Sequence, residues 1–437
     1  MIKNFVKKFV SDKHPLVLFF YKLKAIVACM WYGFPSRNIK VIGVTGTDGK
    51  TTTVNLIAQM LEFSGKKVGL TSTLKYKVGD LQWSNRDKMT TQSPFVVQKL
   101  LRMMVDEGCD YAILEVTSHA VVQSRIWGIN FDVAVFTNLT EDHLDYHGSM
   151  ENYMKAKGGF IGSLYAMRRK SNAPKVLVLN GEDKYFEYFD QFKGDLKIKY
   201  GLNKGDVYAS EILLSATGSL FSVNIPNDSA KFKVQLIGEF NIYNCLAAIS
   251  VGLSQGIELK KLAAVFEKVL PVGGRLETVD VGQDFSVVVD YAHTADSLSK
   301  TCALYKGLTK GRLILVFGAT GGGRDKGKRP IMGEQADRLA DIIILTNDDP
   351  YFDDQFQIIE DIAKGIKRTE GEQLYKIVDR VEAIKFALDL AQKGDSVLIA
   401  GKGGEEVIVI GDKKIPHDDR LVVREYLSEK LYTDLVV

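Results

Sequence analysis

From residue 39 onward the chain alternates short apolar runs with stretches whose apolar residues recur at helical spacing. The short runs "KVIGVTG", "KKVGLTS", "DYAILEVTS", "DVAVFTN" and "KVLVLN" predict strands. Between them lie predicted helices such as "TTVNLIAQMLEFSG", which closes on a glycine. This alternation indicates an α/β fold. A polar stretch with short alternating strands follows near residues 205–237, then "NIYNCLAAISVGLSQGI" reads as a helix. The pattern breaks at "LPVGGRLE", around Pro271. A second series then begins with "FSVVVDYA", "RLILVFGA", "DIIILTND" and "SVLIAGKG", which predicts a second α/β sheet. The expected organisation is a short segment over 1–38, a central domain over 39–270 and a C-terminal domain over 271–437. The length, 437 residues, also favours more than one core.

Composition changes this picture little. The chain is 46% apolar and 25% charged, as globular proteins are. A net charge of +3 is too small to imply a nucleic-acid partner. Cys29, Cys109, Cys245 and Cys302 are scattered in apolar settings, which predicts free buried thiols, a reducing cytoplasm and no zinc cluster. The first 38 residues are basic and aromatic. Lys22 and Lys24 interrupt their apolar run, so it falls short of the ~18 uncharged residues of a membrane span. No small-residue cleavage site follows. The favoured reading is a helix or two packed on the first domain; the alternative is peripheral contact of 1–38 with an anionic membrane surface.

Three stretches carry candidate chemistry. The first, "VIGVTGTDGKTTT", is a strand, a small-residue loop, a lysine beside hydroxyls and a helix. It departs from the strict phosphate-loop spacing, yet retains Gly46, Thr47, Asp48, Gly49, Lys50, Thr51 and Thr52. Glycines let backbone N–H groups close on phosphate, and the helix N-terminus adds its positive end. Lys50 suits the β/γ-phosphates and Thr51 suits Mg²⁺. The second stretch ends a buried strand at Glu115, a carboxylate well placed for Mg²⁺ at the ligand-binding edge of such a sheet. The third, "VAVFTNLTEDHLDYHGSM", brings Asn138, Asp142, His143, Asp145 and His147 directly after another strand. Three of the six histidines fall between 119 and 147, which favours a metal or phosphate site.

In order, "GTDGKTT", "EVTSHAVVQSR", "NLTEDHLDYHG", "YMKAK", "GEFNIYNCLAA", "GGRLETV", "VVVDYAHTADSL", "GGGRDKGKRPIMGE", "DDP", "IAGKGGEE" and "IPHDDR" resemble the Mur ligases. The branch resembled adds a diamino acid to UDP-N-acetylmuramoyl-L-alanyl-D-glutamate. The resemblance runs from residue 39 to the end. It implies a P-loop central domain with a mostly parallel sheet and a C-terminal Rossmann-like domain. It implies ATP and Mg²⁺, phosphorylation of an acceptor carboxylate, and attack by an amine on the acyl phosphate. It implies that Glu115 and His143 ligate magnesium and that Lys157, carbamylated, supports the metal. It implies ATP contacts from Asn241, Asn244, Arg275, Asp290 and His293, with the Gly273-Gly274 pair as a hinge. Thr90, Thr91, Thr117, Ser118, Gln123 and Arg125 match positions that hold the muramoyl-peptide acceptor. Arg324, Asp349, Tyr351, Gly401 and Glu405 match the amino-acid pocket. Small-molecule substrates and a monomer are expected.

The chain departs from the family pattern in three places. About 38 residues precede the phosphate-loop strand, fewer than a UDP-binding domain of the usual scale requires. A lipid-linked or non-murein acceptor, pseudomurein or cyanophycin-like, is therefore the alternative in the same chemistry. The run Asp348-Asp349-Pro350-Tyr351 stands where a diaminopimelate-adding branch carries Asp-Asn-Pro-Arg. Tyrosine makes no bidentate ion pair, and Asp349 suits an ammonium, so lysine or ornithine is expected. Finally, Gly401-Lys402-Gly403-Gly404-Glu405 lacks the family's histidine, and Ala295 replaces a usual proline. A folate polyglutamylating enzyme fits "EVTSHA" and "GKGGEE" less well. From another class, a non-catalytic nucleotide-binding partner is the competing reading, against which stand Lys50, Glu115, His143 and Lys157.

Overall fold

The structure is a computed structural model, which describes residues 13–171, 173–215, 217–323 and 325–436. The chain forms two compact units, Met1–Thr140 with Ser149–Leu270, and Glu141–Gly148 with Pro271–Val437.

The first unit is built on one long sheet. Its strands are β1 (Lys40–Thr45), β2 (Val68–Thr71), β3 (Lys75–Val78), β4 (Leu81–Ser84), β5 (Tyr111–Glu115), β6 (Val133–Phe136), β7 (Val176–Asn180), β8 (Leu196–Gly201), β9 (Val207–Ser215), β10 (Gly218–Ile225) and β11 (Asp228–Val234). The order is β11-β10-β9-β8-β7-β6-β1-β5-β2-β3-β4. Neighbours from β9 to β2 run parallel, and the two flanks are antiparallel. The central strands are buried on both faces, which is why they read as unbroken apolar runs. On β1, Ile42 and Val44 face Val54, Ile57 and Leu61 of the helix Lys50–Phe63. Val41 faces the opposite layer with Phe131, Phe136 and Phe160. Gly43 lies under the aromatic rings; a Cβ there would meet Phe160 at 2.5 Å and Phe131 at 2.8 Å.

Register positions the site. Val44 pairs with Glu115 and Thr45 with Phe136, so β1, β5 and β6 end level. Their exit loops meet at one edge, where ligands of open α/β sheets bind.

The second unit has the strands β12 (Glu277–Thr278), β13 (Ser286–Asp290), β14 (Leu313–Phe317), β15 (Ile342–Leu345), β16 (Leu374–Lys376) and β17 (Ser396–Ala400), in the order β12-β13-β17-β14-β15-β16. All neighbours are parallel except β12 and β13. A separate hairpin joins β18 (Val407–Ile410) to β19 (Lys413–Pro416). The mixed α/β architecture expected from the sequence is the one observed, with a large mostly parallel sheet and a second C-terminal sheet. A buried ion pair organises this unit. Arg380 donates to both carboxylate oxygens of Asp419, at 2.8 and 2.7 Å, and to the backbone carbonyls of Asn347 and Ala400. His417 adds a 2.7 Å contact to the same carboxylate. Burial opposes the charge on Asp419, but Arg380 and His417 hold its carboxyl well below the usual range. Removing one member of such a pair typically costs ~3–5 kcal/mol, because the other charge is left buried.

Candidate functional site

In the first unit the phosphate loop is clamped from β6. The backbone N–H of Thr47 donates to Asn138 O at 2.9 Å, and that of Asp48 to Asn138 Oδ1 at 2.9 Å. Thr137 Oγ1 and Asn138 Nδ2 both donate to Asp48 O. Gly49 has φ +78, and a Cβ there would sit 2.3 Å from Asn244 Oδ1. Glycine is thus required at the head of the helix Lys50–Phe63. The open backbone and the helix end form a cradle suited to phosphate oxygens. Lys50 Nζ lies 2.6 Å from Thr47 O. Asn244 and Asn241 bond to each other at 3.0 Å, and Thr53 donates to Asn244, which ties the helix Glu239–Ser254 to the loop.

Glu115 sits at the end of β5, buried, with its oxygens shared among three donors. Thr51 Oγ1 donates to Oε1 at 2.9 Å; Thr73 N–H and Oγ1 donate to Oε2 at 2.8 and 3.1 Å. A carboxylate and a hydroxyl at the foot of a phosphate cradle are the hard oxygen donors that Mg²⁺ takes. The residues expected to hold the acceptor continue from this point. Thr73 bonds Thr90 at 2.9 Å, Thr91 donates to Glu115 O at 2.8 Å, and the Thr117 N–H donates to Thr91. Arg125 donates to Thr91 O and, by two nitrogens, to Gln123 Oε1. Ser118 opens the short helix Ser118–Val122 and is buried. Thr52 is buried in the first turn after the loop.

Lys157 is buried in the helix Met150–Ser163. Its Nζ donates to Gly46 O and lies 4.4 Å from the centre of the Tyr153 ring. The Tyr153 hydroxyl is in turn 3.2 Å from Thr47 Oγ1. A lysine is therefore built into the back wall of the phosphate loop.

In the second unit, His143 has a left-handed backbone (φ +56) at the start of the helix Leu144–His147, and its Nε2 is 3.3 Å from Asp142. Burial opposes the Asp142 charge, but His143, Lys328 and His293 outweigh it and hold its carboxyl well below the usual range. Asp290 accepts from the N–H groups of Leu276 and Ala292, so it fixes the local backbone. Arg275 lies 4.1 Å from the Tyr291 ring centre, and His293 Nδ1 is 2.9 Å from Tyr291 O. A Cβ on Gly274 would meet the Gly404 nitrogen at 1.7 Å, so that glycine permits a close backbone contact at φ +66. Gly401 donates its N–H to Asp290 O.

Asp349, expected to receive the ammonium of an incoming amino acid, accepts at Oδ1 from Lys402 Nζ at 2.9 Å and from the Val409 N–H at 2.8 Å. Lys402 is fully buried and also bonds Glu405 at 2.9 Å, with Asp348 at 3.6 Å. Asp348, Asp349 and Glu405 form a cluster of metal-ligating types, but they surround this ammonium. Tyr351 is held at φ +50 by bonds to Val409 O and from Gly411 N, with its ring against Gly322. Arg324 lies outside the described residues. Thr73, Tyr153 and Lys402 are the structural partners that sequence reasoning did not assign. Lys402 had a signal, lying inside "GKGGEE"; Thr73 had none.

A phosphate cradle on a parallel sheet followed by a second α/β unit is the frame of a nucleotide-using enzyme, and the comparisons make it an ATP-dependent carbon–nitrogen ligase. The Mur ligase middle-domain profile matches residues 44–252, and the Mur ligase glutamate-ligase-domain profile matches 274–403. The chain belongs to the Mur ligase family, whose members use ATP and Mg²⁺. It is similar to the UDP-N-acetylmuramoyl-L-alanyl-D-glutamate–2,6-diaminopimelate ligase of Geobacillus kaustophilus, with 44% identity over 93% of this chain and 82% of the relative. It is similar to the UDP-N-acetylmuramyl-tripeptide synthetase of Roseiflexus, with 39% identity over 93% and 82%. A solved UDP-N-acetylmuramoyl-L-alanyl-D-glutamate–2,6-diaminopimelate ligase superimposes with TM-score 0.60 at 32% identity, covering 90% of this chain and 79% of the other. The Mycobacterium tuberculosis folylpolyglutamate synthase shares the fold, with TM-score 0.70 at 17% identity, covering 87% of this chain and 92% of the other.

His293 yields a pH prediction. Burial chiefly, then Lys328, push it from 6.5 down to about 4. The unfolded chain therefore binds a proton that the folded chain rejects, and stability is lost as pH falls from 6.5 towards 4. Between pH 7.5 and pH 5 this group should cost roughly 2 kcal/mol, at about 1.4 kcal/mol per pH unit below 6.5. Urea denaturation at the two pH values should show that much less loss in His293→Gln than in the parent. Equal losses would refute the assignment.

Proposed function

We propose that the protein joins a diamino acid to the glutamate carboxylate of a muramoyl-dipeptide wall precursor, with formation of ADP and phosphate. The observation that carries this reading is the buried Glu115, hydrogen-bonded to the first hydroxyl of the phosphate-loop helix and continuous with the Thr90, Thr91, Thr117, Gln123 and Arg125 network. The names of the similar relatives support the acceptor.

In this reading the terminal phosphoryl group of ATP passes to the acceptor carboxylate. The amino group then attacks the acyl carbon, an amide forms and phosphate leaves. Lys50 and the loop N–H groups hold the phosphates as charge moves. Glu115, Thr51 and His143 are the groups that would hold Mg²⁺, which when bound neutralises charge on the phosphates and the acceptor. Lys157 is read as a carbamate: its neutral amine adds CO₂ and releases a proton, turning a cation into an anion able to support the metal. Its burial beside the loop, against Gly46 and Tyr153, supports this role. Asn241, Asn244, Arg275, Asp290 and His293 are assigned to the nucleotide. Gly401, Glu405 and Arg324 are assigned to the amino acid.

Tyr351 favours a diamino acid without a second carboxylate, such as lysine or ornithine. A phenol offers one hydroxyl where a bidentate guanidinium would grip a distal carboxylate. The second reading, 2,6-diaminopimelate, is favoured by the relatives' names. Asp349 already carries the Lys402 ammonium on one oxygen, so Tyr351 is the residue on which the choice turns.

Two substitutions test this. Lys157→Ala should lower kcat at least a hundredfold, with partial rescue by acetate or another short carboxylic acid; undiminished turnover would exclude the carbamate. Tyr351→Arg should raise kcat/KM for diaminopimelate relative to lysine about tenfold or more; an unchanged ratio would remove Tyr351 from the selectivity pocket.

A further inference from the structure

The helix Pro15–Trp31 packs in the first unit with its residues arranged inside out. Its inner face consists of small residues, Ala25, Ala28 and Cys29, all fully buried. The large apolar side chains point to solvent: Leu16, Phe19, Phe20, Leu23, Met30 and Trp31, with Phe19 at 66% and Trp31 at 76% exposure. At 3.6 residues per turn these positions fall on one continuous stripe, opposite the buried alanines. The helix Pro94–Asp106, against which this helix packs, shows the ordinary arrangement, with Val97, Leu100, Leu101 and Met104 buried.

Charge indicates what meets the stripe. The helix contains no Asp or Glu. Lys22 and Lys24 project from the two sides of the stripe on the helical wheel, and residues 1–38 carry seven lysines and arginines against the single acid Asp12. A large apolar face bordered by cations suits an anionic lipid surface, with aliphatic stems in the acyl boundary and ammonium groups among the headgroups. Trp31 and Tyr32 close the helix with the aromatic types that favour that boundary. The helix is short for a span, since 17 residues rise about 25 Å against a hydrocarbon core of about 30 Å, and Lys22 and Lys24 interrupt it. Among the described residues no helix is long and apolar enough to cross a membrane. A second copy is a poorer occupant. A two-fold contact through this stripe would set lysines against lysines, with no acid on the helix to receive them.

We propose that the helix Pro15–Trp31 docks the protein on an anionic membrane surface, lying in the headgroup plane with Phe19, Phe20, Leu23 and Trp31 inserted. The phosphate loop and the acceptor-binding network belong to the same unit, so docking brings that half of the enzyme to the membrane.

The full chain should co-sediment with vesicles of 30% phosphatidylglycerol in phosphatidylcholine at least tenfold more strongly than with pure phosphatidylcholine, and less so at high salt. Phe19→Ser/Phe20→Ser, both exposed positions, should lower binding tenfold or more. Lys22→Glu/Lys24→Glu should abolish the preference for anionic vesicles. Tryptophan emission should shift to the blue on binding, and Trp31→Phe should remove the shift. Thermal midpoints equal to the parent's establish that the variants fold. No vesicle binding by the folded parent would overturn the proposal. So would equal binding to both vesicle types, or a dimer that Phe19→Ser/Phe20→Ser dissociates. Ligase turnover is a separate readout, so failure here leaves the reaction assignment untouched.

Discussion

The first unit depends on a carboxylate that has nowhere to go. Glu115 ends a strand with core on both sides, and its two oxygens accept from Thr51 and Thr73. A buried carboxylate without donors costs several kcal/mol or gives up its charge. That requirement fixes the start of the phosphate-loop helix against the end of β5. It also fixes the exit of β2, through Thr73. The level ends of β1, β5 and β6 then bring the Thr47–Asp48 backbone against Asn138. One electrostatic constraint thus shapes the cradle, and the same hydrogen-bond chain reaches the residues assigned to the acceptor.

The second unit solves a similar problem with different groups. Arg380 and Asp419 are buried together, and the remaining guanidinium N–H groups reach carbonyls at the ends of β15 and β17. Lys402 does likewise for Asp349 and Glu405. Such pairs fix geometry more than they add stability, since their desolvation offsets much of their attraction. They hold rigid the loops that carry Tyr351, Gly401 and Glu405.

Much of this was legible in the chain. Parallel strands covered on both faces must be apolar throughout, so "VIGVT", "YAILE", "VAVF" and "LILVF" announced themselves. β3 and β4, "KYKV" and "LQWS", lie on an antiparallel flank where polar residues alternate, and they gave no comparable signal. The phosphate loop was readable because glycines and a lysine in that order have few other uses. The state of Asp349 was not readable. Its counter-ion is Lys402, 53 residues away in sequence, and only tertiary folding brings the two together. The helix Pro15–Trp31 shows the same limit. Its composition marked it as basic and aromatic, but which face turns inward is decided by the helix beside it. Small residues won that face because they allow close packing, and the large side chains were left outside.

The central claim is amide ligation through an acyl phosphate. It is tested most directly with UDP-N-acetylmuramoyl-L-alanyl-D-glutamate labelled with ¹⁸O in its glutamate side-chain carboxylate, incubated with ATP, Mg²⁺, bicarbonate and lysine, ornithine or diaminopimelate. The account predicts phosphate release that requires both the acceptor and one of these amino acids, with one ¹⁸O atom carried into each phosphate. Phosphate released without the label, or at the same rate without an amino acid, would contradict it.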